Sequence, residues 1–206
     1  MRISNSFINF GARYIADAPV IHHKDKPVEA SFVELEKGVD NRAVKKICKR
    51  SDDGPANTIE DDFPSGNNDS KYYGISLDKL GRRKQKNKLL CVMNLQEVSD
   101  PERALSINNM FSAYPTEDGF GRTPKKVYKG AGELCIYQAV KKAWNEGYKA
   151  ILLTSICNDF WQEKMGFSND VAPWEQDDDE HDLALKRDQF EPFMKRVEEK
   201  YGFERD

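Results

Sequence analysis

The first half of the chain carries the residue patterns of β-strands. Residues 30–36 (ASFVELE) alternate apolar and polar positions, and residues 71–77 (KYYGISL) are rich in strand-forming side chains. An apolar run at 89–98 predicts a longer strand that pairs with 71–77 in a hairpin with a long basic loop. Further strands are predicted at 6–14 and at 104–114, the second ending before a proline.

Helical spacing replaces this alternation in three other segments. Asp40 is a favourable N-cap, and Val44 and Ile47 share one face behind it, which predicts a helix from residue 40 to about residue 50. A short helix is predicted at 160–165, just before a Gly-Phe pair. Residues 183–201 are predicted to form one long C-terminal helix, because apolar residues recur along the segment.

A further helix follows a glycine-rich turn. Gly130-Ala131-Gly132 opens it, Gly147 is placed to end it, and residues 150–153 (AILL) then predict a strand covered on both faces. This order of strands and helices predicts a mixed α/β fold. The apolar stripe of the helix consists of Ile136, Val140, Ala143 and Trp144.

Composition is typical of a globular protein of one domain. The 206 residues are 38% apolar and 11% aromatic, which suffices for a core without disulfides or metals. No apolar stretch approaches the roughly 18 residues of a membrane span, and the first residues lack a secretory pattern, so we expect a cytoplasmic protein with no membrane contact. The four cysteines lie far from each other and from the three histidines, which predicts reduced core cysteines and no metal site.

Charge is segregated along the chain, although the net charge is only −3. Residues 51–70 hold six acids and no base among Gly, Pro, Asn and Ser, which predicts a mobile loop. Residues 79–88 hold six bases and no acid, and residues 175–182 hold six acids. We therefore expect one domain over 1–206, with loop insertions at about 51–70, 79–88 and 116–126 and a C-terminal extension at about 168–206.

The glycine-rich turn is a candidate anion site. The first N–H groups of a helix have no partner within the helix, and the helix dipole adds positive potential there. Glycines let a phosphate approach the main chain, and three lysines lie nearby in the sequence. Neither the dinucleotide fingerprint GxGxxG nor the P-loop pattern GxxxxGK(S/T) is present, so a Rossmann fold and a P-loop are not supported.

Residues 128–167 resemble the GNAT superfamily of acyl-CoA-dependent N-acetyltransferases. That family carries Gln/Arg-x-x-Gly-x-Gly/Ala at a helix start, and Gly130 and Gly132 match its small residues. Gly147 matches the helix stop, residues 151–153 match the following strand, and residues 164–167 (KMGF) match the closing motif. The resemblance implies an α/β fold with a mixed, mostly antiparallel central sheet flanked by helices, here with an extra C-terminal helix.

This sequence departs from the family pattern at two functional positions. Val127 stands where the family has Gln or Arg, and Trp161 stands where it has the tyrosine that protonates the leaving thiolate. An indole cannot deliver that proton, so Trp161 is expected to pack and to contact the cofactor. The segment between Leu153 and Phe160 is also about two residues shorter than the family pattern.

The resemblance implies transfer of an acetyl group from acetyl-CoA to an amine by direct attack on the thioester. Pantetheine would lie between strands 104–114 and 150–153, with N–H groups near Ser112 polarising the thioester carbonyl. Tyr114 is the candidate acid and Glu97 the candidate base, although strand-end packing and a surface role are alternatives for them. The residues implied for cofactor binding are Val127, Lys129, Gly130, Ala131, Gly132, Glu133, Ser112, Asn158 and Trp161.

Two other functions fit the same residues. A GNAT-like module that binds CoA or a partner without turnover would explain the missing tyrosine. The basic loop 79–88 would suit an RNA-directed protein, although the acidic net charge disfavours nucleic acid as the main partner. The acceptor, a small molecule or a protein carrying an amine, is not specified by the sequence, and a homodimer is compatible with it.

Overall fold

Eight strands form one sheet in the order β6-β1-β2-β3-β4-β5-β7-β8. The structure is a computed structural model that describes residues 13–23, 26–49, 54–65, 70–77, 88–112, 128–155, 159–174 and 182–202. All neighbouring strands are antiparallel except β5 and β7, which are parallel. The strands are β1 Arg13–His23, β2 Lys26–Leu35, β3 Ser70–Leu77, β4 Lys88–Val98, β5 Ala104–Ser112, β6 Tyr128–Lys129, β7 Ala150–Leu153 and β8 Leu183–Lys186.

Helices cover both faces of this sheet. On one face α1 (Asn41–Cys48) and α2 (Gly54–Ser65) pack on alternate strand residues such as Val92. On the other face α3 (Ala131–Glu146) and α4 (Phe190–Tyr201) pack on residues such as Met93. The mixed, mostly antiparallel sheet with a C-terminal helix confirms the predicted fold class. No helix in the described part of the chain is long and apolar enough to cross a membrane.

The acidic segment 51–70 contains a helix, so its prediction as a loop is wrong. Ala56, Ile59 and Phe63 recur at helical spacing in α2 and are fully buried. The ring of Phe63 packs edge-on against Tyr72, with 4.9 Å between ring centroids. The acids occupy the other faces of α2, where the Glu60 carboxylate pairs with Lys45 at 3.2 Å. Burial of one apolar stripe therefore outweighs the polar composition of the segment.

The prediction of one helix over 183–201 is wrong at its start. Residues Leu183–Lys186 form β8, which pairs with β7, and α4 begins at Phe190. Leu183 and Leu185 face the α3 side of the sheet, whereas Ala184 packs in a separate cluster on the other side. Because apolar residues are buried on both faces, the segment is a strand. It belongs to the central sheet, so the label of an extension for this stretch is also wrong.

One edge of the sheet is β6, whose Lys129 and Tyr128 pair in register with His22 and His23 of β1. The strand expected at 6–14 falls mostly outside the described residues, and so do most of the basic segment 79–88 and the segment 116–126. Three of the cysteines, Cys48, Cys91 and Cys135, are buried and free, as predicted.

Candidate active site

A gap opens where β5 and β7 part. The two strands pair from Ala104 with Ala150 to Ile107 with Leu153, where β7 ends. β5 continues beside β4 to Ser112. At the point of separation the pairing of β5 with β4 shifts by one residue at Asn108, which forms a β-bulge. Beyond Ile107, β5 has no strand partner on the β7 side among the described residues, as the resemblance predicts for the binding of pantetheine.

The glycine turn lies beside the far end of β5. Gly130 has a φ of +87°, and its carbonyl accepts the N–H of Leu134 at 2.9 Å, which closes the first turn of α3. The N–H groups of Ala131, Gly132 and Glu133 come before that bond, so the helix itself offers them no carbonyl acceptor. The N–H of Leu134 is not available to an anion, because it donates to the Gly130 carbonyl.

Gly132 sets the distance between α3 and the end of β5. A Cβ built at Gly132 would lie 3.8 Å from the Cβ of Ser112 and 3.7 Å from the terminal methyl of Met110. The structure therefore brings Ser112 to the glycine turn. An anion on the helix N–H groups would lie next to Ser112.

Glu133 faces the C-terminal helix with its side chain. The carboxylate is 8% exposed, forms an ion pair with Lys200 and accepts a hydrogen bond from the Tyr201 hydroxyl at 2.9 Å. Burial raises the pKa of Tyr201, and the adjacent carboxylate raises it further. Of Glu133, only the main-chain N–H is then available to a cofactor, because the side chain is held by α4.

Trp161 lies in the core. It belongs to the short π-helical segment Phe160–Met165 and is 9% exposed. Its ring packs edge-on against Phe160 and Phe167, with centroid distances of 5.2 and 5.3 Å. The packing role predicted for Trp161 is confirmed, and its contact with the cofactor stays a prediction.

Glu97 lies beside the part of β5 that is still paired with β7, before the gap opens. It pairs in register with Leu105, three residues before the Asn108 bulge on β5, which is about 10 Å at 3.3 Å per residue. Its carboxylate accepts hydrogen bonds from Arg103, at 3.0 Å from Nε, and Arg103 also donates to the carbonyl of Glu146 at the end of α3. The candidate base thus lies near the C-terminal end of the helix whose N-terminal end forms the glycine turn.

The remaining predicted site residues divide into two groups. Lys129 is exposed in β6, directly before the turn, and its strand is held by pairing with His22. Val127, Tyr114 and Asn158 lie outside the described residues, and their roles stay predictions.

Two features of the site were not predicted from the sequence. Lys200 and Tyr201 lie more than sixty residues from Glu133 along the chain, and no motif links them. On the sheet face opposite α3, Asn94 pairs in register with Asn109, and the Asn94 side-chain oxygen is buried without a hydrogen-bond partner among the described residues. A polar residue at an inward strand position was the available signal for Asn94.

Solved structures resemble this protein in fold, although no protein-family model and no curated protein matches its sequence. AtaTR bound with AcCoA has a TM-score of 0.50 and 11% identity, covering 79% of this chain and 96% of its own. The ribosomal-protein-S18-alanine N-acetyltransferase from Escherichia coli has a TM-score of 0.47 and 14% identity, with coverages of 76% and 93%. A GNAT-family acetyltransferase from Staphylococcus aureus Mu50 has a TM-score of 0.47 and 10% identity, with coverages of 77% and 99%. With one mixed sheet that is covered by helices on both faces, this protein shares its fold with the AtaTR structure.

Proposed function

We propose that this protein transfers an acetyl group from acetyl-CoA to an amine. The observation that carries the proposal is the position of the glycine turn at the end of β5, beside the gap between β5 and β7. A helix N-terminus binds phosphate, and a strand with an open side pairs with the amides of an extended chain. CoA carries both groups, a pyrophosphate and a pantetheine arm with two amides. The presence of AcCoA in the AtaTR structure supports the same donor.

The cofactor would run along β5 from the turn toward the bulge. Its pyrophosphate would accept hydrogen bonds from the N–H groups of Ala131, Gly132 and Glu133, with Ser112 beside it. Asn108 lies four residues before Ser112, about 13 Å along the strand. We therefore assign carbonyl polarisation to the main chain near the Asn108 bulge instead of Ser112, since the thioester is at the far end of the arm.

The chemistry is direct acyl transfer. The neutral amine attacks the thioester carbon and forms a C–N bond, and collapse of the tetrahedral intermediate breaks the C–S bond and releases the thiolate of CoA. The ammonium must first lose a proton, and water can carry that proton to solvent. We do not assign this step to Glu97, because its carboxylate is bound by the guanidinium of Arg103. Tyr114 remains the candidate donor of a proton to the thiolate.

The face of the sheet opposite α3 is the candidate side for the acceptor. Asn94 and Asn109 lie there beside the bulge, and α2 carries the exposed carboxylates of Asp61 and Asp62. Asp62 is close enough to Tyr72 to raise the pKa of its phenol, after the larger effect of burial. Acidic groups near the entrance attract cations, which favours a positively charged amine.

Release of free thiol from acetyl-CoA tests this function. The purified protein is incubated with acetyl-CoA and separately with a polyamine, an aminoglycoside or a lysine-containing peptide, and the thiol and the acetylated amine are quantified together. Stoichiometric formation of both, with saturation in both substrates, is expected for at least one amine. Measurable CoA binding with no acetylated product from any acceptor class would contradict an enzymatic role.

A binding module without turnover is the second candidate. It is favoured by Trp161, which replaces the tyrosine expected to protonate the thiolate and is packed into the core. The two candidates share the cofactor site, so CoA affinity does not separate them, whereas thiol release does.

A further inference from the structure

We propose that Lys200 and Tyr201, in the last turn of α4, are positioning residues of the pyrophosphate site. This inference rests on the proposed function. It assigns to the C-terminal helix the tasks of cancelling a negative charge at the glycine turn and of supporting the turn from behind.

The carboxylate of Glu133 would repel an anionic cofactor at the glycine turn. Its carboxylate lies in the first turn of α3, one residue after Gly132, and is almost completely shielded from solvent. A negative side chain at this position interacts with the helix dipole in the same way as a bound phosphate and competes with it. Little solvent remains to screen the repulsion between the two anions.

Lys200 supplies the compensating charge. Its ammonium forms an ion pair with the Glu133 carboxylate, while about half of the lysine side chain stays exposed. An ammonium has three donors, so contact with Glu133 leaves donors for a phosphate oxygen. Lys200 thus brings a cation to the first turn of α3 from a different element.

Tyr201 supports the shape of the turn. Its hydroxyl donates to Glu133 at 2.9 Å, and it lies 2.1 Å from where a Cβ at Gly130 would be. The phenol thus occupies the space left by the missing side chain of Gly130. α4 is itself fixed, because Tyr137 of α3 donates to Glu198 at 2.9 Å and the apolar face of α4 is buried. A displacement of the end of α4 would therefore disturb the glycine turn directly.

The test compares CoA with S-acetylpantetheine, which lacks the pyrophosphate, by isothermal titration calorimetry. Lys200→Gln should weaken CoA binding about tenfold, since it leaves the Glu133 charge uncompensated, and should leave S-acetylpantetheine binding unchanged. The double variant Glu133→Gln/Lys200→Gln should recover most of the lost CoA affinity. Lys195→Gln is the matched control, because Lys195 is an exposed lysine of the same helix that pairs with Glu199.

Each outcome decides one of the two claims. Equal CoA affinity of wild type and Lys200→Gln would overturn this inference and leave the proposed function standing. A double variant as weak as Lys200→Gln would show that charge compensation is not the role of Lys200. A wild-type protein that binds no CoA would overturn the proposed function, and the inference with it. A thermal unfolding curve of Lys200→Gln that matches wild type confirms that the variant is folded.

Discussion

Gly130 and Gly132 are two residues apart, yet a side chain would meet different obstacles at each. At Gly130 the left-handed backbone and the Tyr201 hydroxyl both exclude a Cβ. At Gly132 the backbone is ordinary, and a Cβ would make normal contacts with Met110 and Ser112. Gly130 is therefore needed for folding of the turn, whereas Gly132 tolerates a methyl group and is sensitive mainly to what would project into the anion site.

Substitution at Gly132 separates these effects. Gly132→Glu should weaken CoA binding about a hundredfold or more, because like charges about 4 Å apart repel by roughly 4 kcal/mol in a partly shielded site. Gly132→Ala should keep CoA affinity close to that of wild type, since its Cβ fits. Calorimetric titration of both variants with CoA measures the difference. Unchanged affinity in Gly132→Glu would rule out the turn as the pyrophosphate site.

Substitutions at Trp161 test whether turnover needs the tyrosine that this tryptophan replaces. Trp161→Phe should keep most of the turnover, and Trp161→Tyr should raise it if an acid is what the site lacks. Trp161→Ala should destabilise the fold by about 3–5 kcal/mol, because a large ring is removed from between Phe160 and Phe167. Steady-state kinetics and urea unfolding of the three variants give these values. Loss of turnover in Trp161→Phe with CoA affinity retained would assign the indole N–H a catalytic role.

At the residue scale, the sequence predicted features that depend on a few consecutive residues but not contacts between distant elements. The helix start at the glycine turn and the left-handed helix stop at Gly147 were readable, because each is a property of a few consecutive residues. The partners of Glu133 were not, since an ion pair between elements depends on how the two helices dock. The ion pair of Glu97 with Arg103 was not readable either, because the sequence shows that Glu97 ends a strand but not which side chain binds its carboxylate.

At the element scale, α3 carries the site at one end and a capping arginine at the other. Arg187, which follows β8, donates to the carbonyls of Tyr148 at 2.9 Å and Trp144 at 3.2 Å and stacks on the Trp144 ring. These bonds satisfy carbonyls at the end of the helix and place positive charge at the negative end of its dipole.

Removal of this cap should affect stability without affecting the cofactor. Arg187→Ala should lower the free energy of unfolding by about 2 kcal/mol, the usual range for lost charge-assisted hydrogen bonds. CoA affinity should stay unchanged, because the 16 residues of α3 separate Arg187 from the turn by about 24 Å. Arg187→Lys keeps the positive charge but loses the planar set of guanidinium donors. Its free energy of unfolding should lie between those of wild type and Arg187→Ala. A loss of CoA affinity in Arg187→Ala as large as its loss of stability would show that the two ends of α3 are coupled.

Element prediction failed where composition and burial disagree. In α2, apolar residues recur every three to four residues, but the many acids between them made the segment resemble a loop. The spacing indicates a helix only once it is known that these apolar residues pack on the sheet. β8 reads as part of a helix because four residues carry too little periodicity to separate the two states. The strands β2 to β5 and β7 were predictable, since each places apolar residues at the period that the sheet buries.

At the scale of the whole molecule, a buried tyrosine and a buried cysteine with raised pKa values make the stability of the fold decrease at high pH. Burial, with the nearby Glu34, raises the pKa of Tyr73 to about 12, and burial, with Glu60, raises that of Cys48 to about 12. In the unfolded chain these groups ionise near 10 and 9. Between the two values the unfolded state binds fewer protons than the folded state, so stability falls as pH rises.

Thermal unfolding from pH 7 to 11 tests this. The stabilisation that these two groups contribute should be present in full below pH 9. Above the unfolded pKa of each group, its titration should lower the free energy of unfolding by up to about 1.4 kcal/mol per pH unit. Tyr73→Phe keeps the ring stacked on Phe32 and removes the ionisable group, so its stability should fall less steeply above pH 10. Identical slopes for wild type and Tyr73→Phe would exclude Tyr73 as a contributor.

The central claim is that acetyl-CoA lies along β5 between the glycine turn and the bulge. A crystal structure of the protein with acetyl-CoA tests it most directly. We predict pyrophosphate oxygens within hydrogen-bond distance of the N–H groups of Ala131 to Glu133, pantetheine between β5 and β7, and the thioester near Asn108. Acetyl-CoA bound elsewhere, with the turn empty or the gap closed by protein side chains, would contradict the account.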